Sequence, residues 1–316
     1  MDEEFVYTIE KGTAQIDKVR RPKTLTVIPE NIGGYPVTSL GAYALAGSDV
    51  EELHLPVRLK KIGAYAFYNC GQLRRIFCGS RILDLGAGLF AGAGGVELLD
   101  FTLFEGEKSC LKDLLSELRQ TLRVRIHLAG SGREARLMFP EYFEESVENT
   151  PARILYIETH GCGHRYRYCF SGTQFPYQSY DELFCHAKVQ EPEALVAELA
   201  IGRLQYPYGL TEKNERMYRE YVAEHWQTAA RLMLEADSLA GREGSLVDPG
   251  GIPWLVQEVL KGGRSKEENS SENAEQEDKL RQLVRMAQQA GDTEAVAWLM
   301  NFRHQSSTSK RRRFEL

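Results

Sequence analysis

The apolar residues of the first hundred positions recur in a fixed block rather than with a helical period. Val50, Leu73 and Val96 lie 23 residues apart, as do Leu53, Ile76 and Leu99, and Leu55, Cys78 and Phe101. A short motif keeps step with them: "LGAYAL" at 40–45, "IGAYAF" at 62–67 and a degenerate "LGAGLF" at 85–90, one deletion between Leu45 and Val50 shortening the first interval. Three classes of position holding one period define an internal repeat. Within a unit, "LHL" at 53–55 predicts a very short strand with Leu53 and Leu55 inward and His54 outward, because strand side chains alternate. Pro56 ends that strand, having no amide hydrogen for a ladder. Ile62-Gly63 then turns the chain, and "AYAF" crosses the back as a short helical or irregular segment that buries Ala66 and Phe67. One unit cannot bury its own apolar face, whereas stacked units share a continuous core. Ahead of the repeats, "FVYTIEKGTAQI" alternates on either side of Lys11-Gly12, which predicts a capping hairpin.

After residue 107 the pattern changes. Leu111, Leu114, Leu115, Leu118 and Leu122 form a one-sided stripe at helical spacing, so a helix is expected to close the stack, followed by a short strand "VRIHL" at 124–128. "RILYIETHGCGHRYRYCF" alternates as two strands turning near Gly161 and Gly163, and "SYDELFCHA" predicts a short helix capped by Ser179. From 191 the chain reads as helical: "EPEALVAELAIGRLQYP" at 191–207, then, beyond Pro207, a long helix from Thr211, then one opening at Pro253 and ending at Gly262-Gly263. "RSKEENSSENAEQEDK" has no aliphatic side chain larger than alanine and predicts a disordered linker. The expected organisation is therefore a capped solenoid over 1–107, a mixed helix and hairpin region over 108–190, helices over 191–263, a linker over 264–278, a helical pair over 279–304 and a frayed basic tail over 305–316.

The pattern L-x-x-L-x-L-P-x-x-L-x-x-I-G-x-x-A-F-x-x-C-x-x-L, carried by Val50, Leu53, Leu55, Pro56, Leu59, Ile62, Gly63, Ala66, Phe67, Cys70 and Leu73, resembles the BspA-like class of bacterial leucine-rich repeats. The preceding "VIPENIGGYPVTSLG" is similar to that family's first repeat, and the resemblance covers about residues 5–104. Ser48 and Ala93 stand where the second unit has Cys70, so a hydrogen-bonding ladder there is expected to be incomplete. The resemblance implies an α+β protein that opens with a leucine-rich repeat solenoid and works as a binding module. Ala287, Gly291, Val296, Leu299 and Met300 in the last helical pair also resemble the helical half of an ankyrin repeat, without its Thr-Pro-Leu-His opening.

Composition narrows the function. A net charge of -6 argues against a nucleic-acid binder, despite the mixed Arg and Tyr of "HRYRYCF" and the "KRRR" tail. No apolar run reaches the ~18 residues of a membrane span. The start "MDEEFVYTIE" lacks the features of a secretory leader, and six scattered cysteines suit reduced thiols, so a cytoplasmic protein is expected. "AGSGREAR" lacks the Gly-Lys-Ser/Thr of a phosphate loop, and no cofactor is expected.

Two classes of function remain. The first is a protein-interaction module that meets a protein partner through the solenoid face, the helical surface, or both, with His54, Phe77, Arg165 and Arg167 as the candidate binding residues. The second is a metal-binding or thiol-dependent enzyme centred on 160–186. In one uninterrupted strand His160, Cys162 and His164 would share a face as three zinc ligands, with Cys185 or His186 as a fourth. Cys162 or Cys169 beside a histidine would alternatively make a nucleophile and base, with Arg165 and Arg167 to hold the thiolate. No full catalytic set is apparent, and the interaction module is the expected function.

Overall fold

The computed structural model describes residues 4–104, 109–149, 154–170, 175–236, 244–260 and 270–313, and it divides into two compact units. The first comprises 1–191 with 206–210, the second 192–205 with 211–316.

The first unit begins with the expected hairpin, β1 (Glu4–Glu10) and β2 (Thr13–Arg20), turning at Lys11 and Gly12, both of which have positive φ. Short strands follow: β3 (Leu25–Val27), β4 (Asn31–Ile32), β5 (Tyr35–Leu40), β6 (Glu52–His54), β7 (Lys61–Ile62), β8 (Arg75–Gly79), β9 (Asp84–Leu85) and β10 (Leu98–Leu103). They form two largely parallel sheets. One runs β1-β2-β5-β7-β9, with β4 beside β5; the other begins β3-β6-β8-β10. Leu53, Ile76 and Leu99 are neighbours on successive rungs, as the 23-residue period requires. A third ladder joins the coils across the back, where Tyr43, Leu45 and Gly47 donate their amides to Ala64, Ala66 and Tyr68, and Tyr65, Phe67 and Asn69 donate to Ala87, Leu89 and Ala91. "AYAF" is thus a turn segment bonded coil to coil, not a helix, with Ala66 and Phe67 fully buried. The motif glycine has a steric cause: a Cβ on Gly63 would overlap the backbone of Gly41 and Ala42, and one on Gly86 that of Gly63 and Ala64. Cys70 donates to the Leu45 carbonyl and pairs with Ser48, while Ala93 has no such group, so this ladder is incomplete as expected.

The solenoid sheet does not end at the leucine-striped helix. α1 (Leu111–Glu117) is followed by β11 (Leu122–Leu128), which joins β10 in parallel and sets Val124 beside Leu99 and Ile126 beside Phe101. The antiparallel β12 (Arg133–Phe139) is the last strand of that sheet. The Tyr180 hydroxyl donates to the Met138 carbonyl and accepts from the Met138 amide, and Pro207 bridges Ala135, so side chains and loops cover the outer edge of β12.

Beyond β12 the expectation of two strands over 153–170 is corrected, Arg153 itself lying outside the described residues. β13 (Phe143–Asn149) and β14 (Ile154–His160) pair as a separate two-stranded sheet, and "GHRYRY" forms α2 (Gly163–Tyr168). The chain turns at Gly161, whose φ of 85° few other residues adopt, and Gly163 packs against the Pro140 carbonyl where a Cβ would not fit. α3 (Tyr177–Glu182) and α4 (Phe184–Gln190) follow; Ser179 lies inside α3 rather than capping it.

The second unit is helical: α5 (Glu193–Gln205), α6 (Glu212–Glu224), α7 (Trp226–Ala236), α8 (Gly251–Trp254) continuing as a wider turn to Leu260, α9 (Ser270–Ala290) and α10 (Thr293–Arg313). Thr211 caps α6 by accepting the Asn214 amide, and the long helix expected from Thr211 divides at His225. The expected linker is corrected in its second half, since α9 begins at Ser270; residues 264–269 lie outside the described residues. The basic tail is likewise helical to Arg313. Gly291, with φ of 74°, turns α9 into α10, and Asp292 caps α10 at the Ala295 amide. No helix among the described residues is long and apolar enough to cross a membrane.

Candidate interaction face

The outward side chains of the β3–β12 sheet form rows across the rungs, set by the same register that aligns the core. One row runs Val27, His54, Phe77, Asp100, Arg125, Arg136; the row beside it runs Leu25, Glu52, Arg75, Leu98, Arg123, Met138. Of these Leu98, Met138 and Arg136 are buried, and only the remaining positions reach the surface. His54 and Phe77 stack with ring centroids 4.1 Å apart and planes 2° from parallel. Glu52 holds the edge of this stack, accepting from His54 Nε2 at 2.6 Å and from Arg75 Nε at 2.6 Å. Burial acts to raise the Glu52 carboxyl, but the His54 and Arg75 hydrogen bonds outweigh it and hold the group below the ordinary carboxylate value. The stack is therefore pinned while its outer surface stays part-exposed.

The far end of the face is a charged network. His127 Nε2 lies 3.0 Å from Asp100, and its Nδ1 lies 3.6 Å from Glu134. Arg136 donates to Glu134 at 2.7 Å and to the Tyr206 hydroxyl at 2.7 Å, with its guanidinium 3.8 Å above the Tyr206 ring. Arg133 lies over Tyr208 at 4.8 Å. Tyr206 and Tyr208 come from the short segment that interrupts the helices and packs with the first unit. Arg125 stands opposite Arg136, and burial followed by that like charge lowers its pKa.

The outward placement of His54 and Phe77 follows from the sequence, whereas the neighbours that surround them and continue the face, Glu52, Arg75, Asp100, His127, Arg136 and Tyr206, were not singled out there. Asp100 was reachable, since it lies 23 residues after Phe77 as Phe77 lies 23 after His54. Tyr206 carried no such signal.

The other expected residues are placed differently. Arg165 is exposed on α2, whereas Arg167 is about 1% exposed and offers nothing to a partner. Two residues apart they would share a face of a strand; on a helix they diverge. The Arg167 guanidinium donates to the carbonyls of Leu118 (2.8 Å), Gln120 (2.6 Å), Gly163 (3.2 Å) and Pro140, and burial lowers its pKa to about 10. His160 stacks on Phe143 and His164 on Tyr168. Cys162 is buried, its thiol donating to Glu191 at 3.1 Å. No group of three or more His, Cys, Asp or Glu among the described residues could hold a metal ion. A reactive thiolate needs a lowered pKa; burial instead pushes the Cys169 thiol up to about 11, and burial and Glu191 push Cys162 higher still. The trio His160, Cys162, His164 and the Cys162 or Cys169 nucleophile are thus not assembled.

Residues 26–111 match the sequence profile of the BspA type leucine rich repeat region, in six copies. No curated protein matches the chain. Among solved structures, a leucine rich cell surface protein from Faecalibacterium prausnitzii is similar at 21% identity over 34% of this chain and 37% of that one, with a TM-score of 0.29. A T. pallidum leucine rich repeat protein is 17% identical over 32% of this chain and 73% of its own, TM-score 0.23. A leucine-rich repeat protein from Bacteroides ovatus is 17% identical over 33% of this chain and 48% of its own, TM-score 0.20. The chain thus spans about a third of the length of the first of these. The 23-residue register, the glycines pressed against the preceding coil and the profile match agree, and the repeat segment of this chain belongs to the BspA type of leucine-rich repeats.

Proposed function

We propose that this chain is a protein-interaction module whose outward sheet face receives a protein partner at the His54–Phe77 stack. A leucine-rich repeat fits such a role, and the observation that carries the reading is the pinned, part-exposed aromatic pair with Glu52 and Arg75 at its edge. Aromatic residues, phenylalanine among them, and arginine are enriched at protein interfaces relative to the rest of the surface. Six free thiols, five of them at least partly buried, accord with a reducing, cytoplasmic setting. The test is a photo-crosslinking amino acid placed at Phe77, with Lys11 in the hairpin turn as a control position. The expected result is a discrete protein adduct at Phe77 that the His54→Ala change abolishes. Identical adducts at both positions, or none at Phe77, would overturn the reading.

A further inference from the structure

The two ends of the β3–β12 sheet differ. The outer edge of β12 is covered by Tyr180 and Pro207. β3 has no strand beyond it among the described residues. The Thr24 carbonyl accepts from Glu51 and Glu52, and the Ile28 amide donates to His54, so Thr24, Thr26 and Ile28 serve the ladder to β6. By the alternation of a parallel ladder, the amides and carbonyls of Leu25 and Val27 point to the open side. Their side chains are also half-exposed, at 50% and 49%.

A second unfinished element follows β12. Among the described residues β13 and β14 pair only with each other, and an isolated two-stranded hairpin is marginal in water without a further strand or a packed face. Leu155 and Ile157, two residues apart on one face of β14, are 71% and 67% exposed, and Phe143 and Tyr156 are about half exposed. The charges of the two elements are opposite. Residues 143–160 hold Glu144, Glu145, Glu148 and Glu158 against a single arginine, Arg153, with Arg119 paired to Glu144 and His160 close to Glu145, while Arg20, Arg21 and Lys23 run into β3, where Glu4 pairs with Arg20 and Arg21.

The geometry points to self-association in which the β13–β14 hairpin of one copy adds to the β3 edge of the next. Each element supplies an apolar pair at strand spacing and main-chain groups without a strand partner, and the charges match between elements but repel between two hairpins. Hairpin against hairpin would bring eight carboxylates together, which disfavours the two-fold alternative. A contact between unlike surfaces leaves one of each kind free on every dimer, so growth continues into chains or a ring. The shared edge is short, so the association is weak and appears only at high protein concentration.

Sedimentation velocity of the full chain over a concentration series tests this. The wild type is expected to form a concentration-dependent ladder of species that collapses toward monomer at high salt. Leu155→Lys with Ile157→Lys, and separately Leu25→Lys with Val27→Lys, should each remain monomeric. An equimolar mixture of the two variants should give dimers and nothing larger, because each copy keeps one working surface. A wild type that stays monomeric throughout, a Leu25 and Val27 variant that still self-associates, or a mixture that fails to dimerise would each overturn the proposal. Circular dichroism checks both variants, and Ile157→Thr replaces the lysine pair if it misfolds. Phe77→Ala should leave the ladder intact, which separates this contact from the proposed partner face.

Discussion

Arg167 shows how much one side chain's placement depends on the element that carries it. Its four carbonyl acceptors come from the segment after α1, from the connection after β12 and from α2 itself, so one guanidinium ties three stretches of chain together. A charge buried this deeply is tolerated because its donors are met by oxygens whose own hydrogen bonding would otherwise fail. Arg167→Met keeps much of the volume and removes every donor. It is expected to cost about 3–5 kcal/mol, read as a fall in the urea midpoint. Arg165→Met on the exposed side of the same helix should leave that midpoint within about 0.5 kcal/mol. The alternation of "RYRYCF" misled because both arginines satisfy a strand pattern with charges in water. Only the helix that follows Gly161 sends Arg167 inward, and a lone sequence does not show that the carbonyls of Leu118, Gln120 and Pro140 converge there.

At the scale of elements, the same register that aligned Leu53, Ile76 and Leu99 also aligned the outward rows, so the first rungs and the His54–Phe77 pair were legible from period alone. The rungs supplied by β11 and β12 were not, because their spacing from β10 departs from 23 and a helix intervenes. Nor was the network at that end, which depends on an antiparallel strand and on a segment some 70 residues away. The network carries a pH signature. The hydrogen bond to Asp100 raises the His127 pKa above 6.5; Asp100 and Glu134 add to this, while burial and Arg125 oppose it. A group whose folded pKa is raised gives stability that is complete below its unfolded value and is lost as pH rises through the folded one. The His127→Gln variant should therefore be less stable than wild type below about pH 6, and the difference should shrink above the raised pKa. Paired urea titrations from about pH 5.5 to 8.5 would read this, and a difference constant across that range would refute it. Glu52 runs the other way: its lowered carboxyl contributes above 4.5 and loses that contribution as pH falls through the folded value.

For the molecule as a whole, the repeat core and the helical core are separate compact units with a convenient asymmetry of reporters. Trp226, Trp254 and Trp298 all lie in the helical unit, whereas thirteen of the fifteen tyrosines lie with the solenoid. Phe67 is about 1% exposed and stacks on Phe90 at 5.4 Å, so its contacts run from coil to coil inside the solenoid. Phe67→Ala removes a buried ring that its neighbours cannot refill, a loss of about 3–5 kcal/mol. In a stack where each coil leans on the next, that loss spreads through the repeats. It should not reach a unit with its own core, since chains of more than one domain need not unfold in a single step. The tyrosine near-ultraviolet signal of Phe67→Ala should therefore be lost at lower urea than in the wild type, while the tryptophan emission midpoint stays fixed. Equal shifts in both signals would mean that the two cores unfold as one cooperative body and that solenoid damage is felt across the entire chain.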